Sequence, residues 1–133
     1  MAFIGKEYKF DRQENFDGFL RAVGLPEEQV AKFIQFKPSS TLVKDGDKYK
    51  YITKTEEHTR ESTFQPGVEF DDTVGDSKTP IKSKYTIDGN TVIQNIKADN
   101  KSAIFKREYN GDELVVTITA SEWDGVARRY YKA

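Results

Sequence analysis

The sequence ends in a stretch that decides how the chain must fold, Val126-Ala127-Arg128-Arg129-Tyr130-Tyr131-Lys132-Ala133. Its aromatic and apolar content is typical of a β-strand, and successive side chains of a strand point to opposite faces. One arginine of this stretch must therefore point towards the interior and the other towards solvent. Because a guanidinium stays charged and is costly to remove from water, the inward face must supply an anion or water to its arginine.

Two registers of this strand satisfy the alternation. In the register that we favour, Ala127, Arg129 and Tyr131 point inward. In the alternative register Arg128 and Tyr130 point inward, which would turn Ala127 and Tyr131 towards solvent. We therefore interpret Arg129 and Tyr131 as the inward pair.

Composition limits the class of protein. With 133 residues the chain is long enough for a single domain, residues 1–133, with its own core. It has no cysteine, which excludes disulfides and thiol chemistry. The 21 basic and 22 acidic residues are interspersed, with a net charge of −1, and this balance argues against a nucleic-acid partner.

The first residues of the sequence indicate where in the cell the protein is expected. Met1-Ala2-Phe3-Ile4-Gly5-Lys6 lacks the apolar run of a signal peptide. Nothing later approaches the roughly 20 apolar residues of a membrane span. We expect a cytoplasmic monomer that needs no cofactor.

Two short helices are predicted near the N-terminus, after a strand over residues 6–10. The first helix follows from apolar residues spaced at i, i+3, i+4 and i+7, with Asn15 as its cap and Gly24 as its stop. The second begins at Pro26 and ends before Pro38. The apolar faces of the two helices are Phe16, Phe19, Leu20 and Val23, and Val30, Phe33 and Ile34.

From Ser39 onward the helical period is absent and alternating segments predict strands. The predicted turns between them are Asp45-Gly46, Pro66-Gly67, Gly75-Asp76, Asp88-Gly89-Asn90, Asp99-Asn100, Asn110-Gly111 and Asp124-Gly125. This pattern indicates an antiparallel meander. So many sequential strands must close or stack to remove their edges, and the helix pair can cover an open end.

The side of the strands that we interpret as inward carries unusually many polar groups. They are Thr53, Ser83, Tyr85, Gln94, Arg107, Arg129 and Tyr131. A packed core would leave such groups without hydrogen-bond partners. A barrel with a wet cavity satisfies them with water or with a polar ligand.

Several motifs together resemble the intracellular fatty-acid-binding proteins, the family that also includes the cellular retinoid-binding proteins. The resemblance covers the whole chain, although Glu7 is atypical. The motifs are Tyr8-Lys9-Phe10 with Asn15-Phe16-Asp17-Gly18-Phe19-Leu20, Lys37-Pro38, Phe64-Gln65-Pro66-Gly67-Val68-Glu69-Phe70-Asp71-Asp72-Thr73, and the C-terminal Arg-x-Tyr with an arginine one strand pair earlier.

The resemblance implies an all-β fold, a flattened ten-stranded antiparallel up-and-down β-barrel capped by a helix-turn-helix lid. It also implies one long-chain fatty acid per chain, held in an internal cavity. Its carboxylate would be bound by the residues that match the family's positions, Arg107, Arg129 and Tyr131, and we expect Phe16 to touch its tail. The paired arginines favour a free acid over an alcohol or ester, since a neutral head group would leave buried donors without an anion.

The portal is the point where the sequence departs from many relatives. These relatives place a phenylalanine in the turn after the third strand, whereas residues 55–59 contain no aromatic side chain. Glu57 in this turn cannot pack on a fatty-acid tail. We therefore expect the second helix to close the portal through Val30 and Phe33.

Two expectations concern charged residues near this portal. Asp76 lies where the family tends to place an acidic residue, although the extra residue around positions 77–80 departs from the common pattern. Arg21 and Lys32 on the lid would remain free for transient contact with anionic membranes, with ordinary solvated side chains as the simpler interpretation.

Other interpretations stay open at this point. Retinoic acid presents the same carboxylate, and the inward arginines could instead pair with an unrecognised acidic residue. A small barrel enzyme acting on lipids is the alternative of another class, but His58 is the only histidine and no Gly-x-Ser-x-Gly motif is present. His58 and Glu61 are too few ligands for a metal site. The absence of cysteine also argues against a secreted lipocalin.

Overall fold

The computed structural model describes residues 2–73 and 80–133. Ten strands and two helices make up this part of the chain, as the family resemblance implied. Their order is β1 (Glu7–Glu14), α1 (Phe16–Ala22), α2 (Glu27–Gln35), β2 (Ser39–Asp45), β3 (Lys48–Lys54), β4 (Thr59–Phe64), β5 (Phe70–Thr73), β6 (Pro80–Asp88), β7 (Thr91–Ala98), β8 (Lys101–Asn110), β9 (Glu113–Ala120) and β10 (Trp123–Lys132).

The strands form one antiparallel sheet that closes into an up-and-down barrel. Their spatial order is β4-β3-β2-β1-β10-β9-β8-β7-β6-β5, so β1 pairs with β10. No ladder joins β4 to β5 within residues 2–73 and 80–133. At this seam Arg60 on β4 donates to the Asp72 carboxylate at 2.7 Å and to the Thr73 carbonyl at 3.2 Å on β5. Side chains therefore bridge the seam.

The two helices cover the barrel with the apolar faces that the sequence predicted. Phe16, Phe19 and Leu20 of α1 are buried, as is Val30 of α2. Phe19 packs against Phe105 and Trp123 with ring centroids 5.6 and 6.0 Å away. In the described part of the chain, neither helix has the length and hydropathy needed to cross a bilayer.

Asn15 occupies the N-cap position of α1, as the sequence predicted, but its side chain forms no capping bond. Its backbone is left-handed, with φ 56°. A capping side chain normally acts from an extended backbone. Here the Asn15 amide instead donates to the Val126 carbonyl at 3.2 Å and so ties the start of α1 to β10.

The turn predicted at Asp124-Gly125 is wrong, because both residues lie inside β10. The chain reverses at Ser121 and Glu122, where Glu122 takes a φ of 64° that is uncommon for this residue type. Gly125 serves packing: a Cβ there would lie 2.4 Å from the Trp123 ring. The glycine leaves room for the indole.

The inward faces of the strands form the core, as their alternation predicted. Phe3, which precedes β1, also belongs to this core. Its ring is stacked on Tyr109 with ring centroids 4.1 Å apart. The core also contains buried polar or charged residues, namely Ser40, Ser83, Gln94, Arg107 and Arg129. Gln94, Arg107 and Arg129 of this set form the candidate site.

Candidate functional site

The strand register brings two arginines to the same level of the barrel. Arg107 on β8 and Arg129 on β10 are both paired with Val116 of β9. Neighbouring strands lie about 4.8 Å apart, so the two arginine backbones are roughly 10 Å apart. Arg107 is 7% exposed and Arg129 6% exposed, whereas Arg128 is exposed. The structure therefore has the register that we favoured from the sequence.

Each arginine is followed two residues later by a buried tyrosine. Arg107 is followed by Tyr109 and Arg129 by Tyr131, and both tyrosines are paired with Leu114. Burial raises the pKa of both tyrosines, which stay neutral hydroxyl groups at physiological pH. Sequence reasoning did not single out the buried Tyr109, although the repeated Arg-x-Tyr spacing could have indicated it.

Arg107 is held by side chains from two other strands. Its Nε donates to the Tyr51 hydroxyl at 3.1 Å, and its Nη2 donates to Gln94 Oε1 at 3.0 Å. The guanidinium also lies 4.7 Å from the Tyr51 ring and 5.6 Å from the Tyr85 ring. Burial raises the pKa of Tyr85 to about 12. Because β3 and β8 are far apart in the sheet order, the bond to Tyr51 spans the barrel interior.

Arg129 is held by aromatic rings and by the lid. Its guanidinium lies 4.7 Å from the Phe10 ring and 4.6 Å from the Phe16 ring. Its Nη2 donates to the Phe36 carbonyl, directly after α2. Burial lowers the pKa of Arg129, but a guanidinium remains charged at any physiological pH.

A second side chain joins Arg129 in holding the end of α2. Gln13 is paired with Arg129 in the β1–β10 ladder, and its Nε2 donates to the Ile34 carbonyl at 3.1 Å. The last carbonyls of a helix lack partners within the helix, and a positive charge is favoured there. We call Gln13 and Arg129, donating to Ile34 and Phe36, the lid latch. Sequence reasoning missed it because its acceptors are backbone atoms.

Both arginines keep a buried N–H group that has no acceptor among residues 2–73 and 80–133. These groups are Nη1 of Arg107 and Nε of Arg129. Within residues 2–73 and 80–133, neither arginine forms an ion pair with a carboxylate. The sequence left open that the inward arginines pair with an unrecognised acidic residue. In this part of the chain no such residue pairs with them. Such an arrangement can hold an anionic group through charge-assisted hydrogen bonds.

The residues predicted around the portal lie in different environments. Val30 is 1% exposed in the core, and Phe33 is partly buried against it. Glu57 is exposed, as is most of the β3–β4 turn around it. The solvated turn agrees with the prediction, whereas Asp76 lies outside the described residues. The roles of these residues at a portal stay predictions.

Arg21 is not free for membrane contact, which corrects the expectation for the lid. Its guanidinium pairs with Asp17 at 2.8 Å and with Glu27 at 2.9 Å. These ion pairs link α1 to the start of α2. Lys32 is exposed on α2.

The lid latch predicts a change in the ligand-free protein. We expect Arg129→Gln to speed amide hydrogen exchange over residues 34–37 by about tenfold or more, because a hydrogen bond from a charged donor to the helix end is lost. Arg128→Gln removes the same charge from the exposed neighbour and should leave this exchange unchanged. Equal exchange in the two variants would show that Arg129 does not hold the end of α2.

Comparisons with known proteins agree with this architecture. The model of the Lipocalin / cytosolic fatty-acid binding protein family matches residues 1–130. Fatty acid-binding protein 1 of Manduca sexta is 65% identical over 133 residues, covering 100% of both chains. The structure of a fatty-acid-binding protein isolated from Manduca sexta superposes with a TM-score of 0.93 at 47% identity, covering 98% of this chain and 99% of that chain. The Schistosoma mansoni fatty acid binding protein in complex with arachidonic acid gives a TM-score of 0.88 at 26% identity, covering 98% of this chain and 95% of that chain. The chain belongs to the Lipocalin / cytosolic fatty-acid binding protein family.

Proposed function

We propose that this protein binds and transports long-chain fatty acids without covalent chemistry, one per chain. The carboxylate lies between Arg107 and Arg129, with the Tyr131 hydroxyl as a third donor, and the tail contacts Phe16. One observation carries this proposal: two buried guanidiniums stand at the same level of the barrel, with no carboxylate partner in the described part of the chain.

The relatives support the same ligand class. The Manduca sexta protein is named a fatty acid-binding protein, and the Schistosoma mansoni protein is in complex with arachidonic acid. Both proteins align over at least 95% of their own length. A cytoplasmic carrier agrees with the cytosolic proteins of the family description.

The affinity has two physical sources. Each methylene removed from water contributes about 0.8 kcal/mol, so a long acyl chain contributes on the order of 10 kcal/mol before the cost of immobilisation. The carboxylate loses its hydration on entry, and the guanidiniums replace the lost hydrogen bonds with charge-assisted ones. The tail therefore supplies most of the affinity, and the head group supplies the selectivity for a free acid.

Retinoic acid is the second candidate ligand, because it presents the same carboxylate to the same donors. The names of the matched relatives favour a fatty acid. They also favour binding over lipid catalysis, the alternative from a different class. Lys32, exposed on α2, is the remaining lid residue that we proposed for transient contact with anionic membranes.

The carboxylate site predicts both ligand selectivity and the effect of mutation. By isothermal titration calorimetry, palmitic acid should bind one per chain and more tightly than methyl palmitate, because only the acid satisfies the buried donors.

Arg129→Gln should weaken acid binding by about 1–3 kcal/mol. The matched change Arg128→Gln should stay within about 1 kcal/mol of the wild type. Equal affinity for acid and ester, or equal losses in the two variants, would contradict the site.

The second helix is proposed to close the portal, and ligand release tests this. Phe33→Ala should speed release of a fluorescent fatty acid in stopped-flow displacement, because it removes apolar cover from the opening. Glu57→Phe should slow release by adding an aromatic side chain in the β3–β4 turn. Lys32→Ala is the control on the same helix and should leave the rate unchanged. An unaltered rate in Phe33→Ala would mean that the ligand leaves elsewhere.

A further inference from the structure

A chain of hydrogen bonds connects Arg107 to the seam between β4 and β5. Arg107 donates to Gln94 at 3.0 Å, Gln94 donates to Ser83 at 3.3 Å, and Ser83 donates to Asp72 at 3.4 Å. Asp72 in turn accepts from Arg60 across the seam at 2.7 Å. This series of hydrogen bonds thus crosses β8, β7, β6 and β5, which are successive neighbours in the sheet.

The direction of every bond in this chain is fixed by its two ends. A guanidinium only donates, so Gln94 must present its oxygen to Arg107. Its amide nitrogen then faces Ser83, whose oxygen accepts the bond. A carboxylate only accepts, so the Ser83 hydroxyl must give its own proton to Asp72. The amide of Gln94 is therefore held in one orientation from both sides.

The two middle residues of this hydrogen-bonded series are shielded from solvent. Ser83 is 0% exposed and Gln94 is 7% exposed. Among the described residues, the carboxylate that ends this chain is that of Asp72, whose side chain is 15% exposed. Arg107 thus meets a neutral oxygen directly, while the negative charge stands two side chains away.

We propose that Gln94 determines the specificity of the head-group site, because its neutral oxygen positions Arg107 without neutralising the charge that an anionic ligand needs. The orientation of this oxygen comes from Ser83 and Asp72. A carboxylate at position 94 would occupy Arg107 as an internal counter-ion and would compete with the carboxylate of the ligand. This inference rests on the proposed function, since it assumes that Arg107 meets a free acid.

A purely structural role for Gln94 predicts a different result. Loss of a packing or folding contact weakens every ligand that enters the barrel, whatever its head group. A change in charge beside Arg107 affects acids and spares esters of the same chain length. The ratio of the affinities for acid and ester therefore separates the two roles.

The test compares Gln94→Glu with Asn95→Asp, using palmitic acid and methyl palmitate in isothermal titration calorimetry. Gln94→Glu should lower the acid-to-ester affinity ratio by about 10- to 100-fold, as expected for losing a charge-assisted contact. Asn95→Asp adds the same charge on the next residue of β7, which is paired with the exposed Lys84 and Ile104. Asn95 is half-buried on the outer face beside Lys84, so the control should leave the ratio within about twofold of wild type, since a charge near the surface is screened.

A second pair of variants decides the case if Gln94→Glu does not fold. Asp72→Asn removes the distant negative charge at the end of the hydrogen-bonded series, so the acid-to-ester ratio should rise about threefold. Asp71→Asn removes a charge from the exposed neighbouring residue, which pairs with Lys82, and should leave the ratio unchanged.

Three results overturn this inference. The first is an unchanged ratio in folded Gln94→Glu, and the second is an equal change in Gln94→Glu and Asn95→Asp. The third is an unchanged ratio in Asp72→Asn. Equal affinity of the wild type for acid and ester is a different outcome, because it removes the proposed function itself.

Discussion

The structure depends on two buried guanidiniums whose charges the described part of the chain does not neutralise. Removing such an ion from water costs several kcal/mol even after relaxation. Aromatic rings, a tyrosine hydroxyl, an amide oxygen and a backbone carbonyl offset part of this cost at Arg107 and Arg129. Because none of these partners carries a negative charge, the interior remains suited to an anionic head group.

The two arginines connect the proposed head-group site to different parts of the molecule. Arg107 reaches β3 through Tyr51, and through Gln94 it reaches the seam between β4 and β5. Arg129 reaches the end of the lid through Phe36. A carboxylate that enters between them would share its donors with both regions. The two regions are connected in this way because β8 and β10 both pair with β9, which places Arg107 and Arg129 on either side of Val116.

Alternation of side chains predicted the antiparallel meander and the inward orientation of Arg129, and the helical spacing of apolar residues predicted the helix pair. The number of ten strands was implied by the family resemblance. Local patterns failed where tertiary contacts decide the conformation, as at Gly125, which makes room for an indole, and at Arg21, which is held by two carboxylates. The contact between Tyr51 and Arg107 joins residues 56 positions apart. No sequence motif indicates such a contact, because it arises only when the barrel closes.

The ionisation state of a bound ligand tests most directly whether the buried guanidiniums hold a carboxylate. Palmitic acid labelled with ¹³C at its carboxyl carbon can be followed by NMR as the pH of the complex is lowered. The two positive charges should keep the bound carboxyl ionised below about pH 4, where an exposed carboxyl group takes up its proton, for as long as the protein stays folded. A bound carboxyl that protonates at that ordinary pH would show that it does not lie between Arg107 and Arg129.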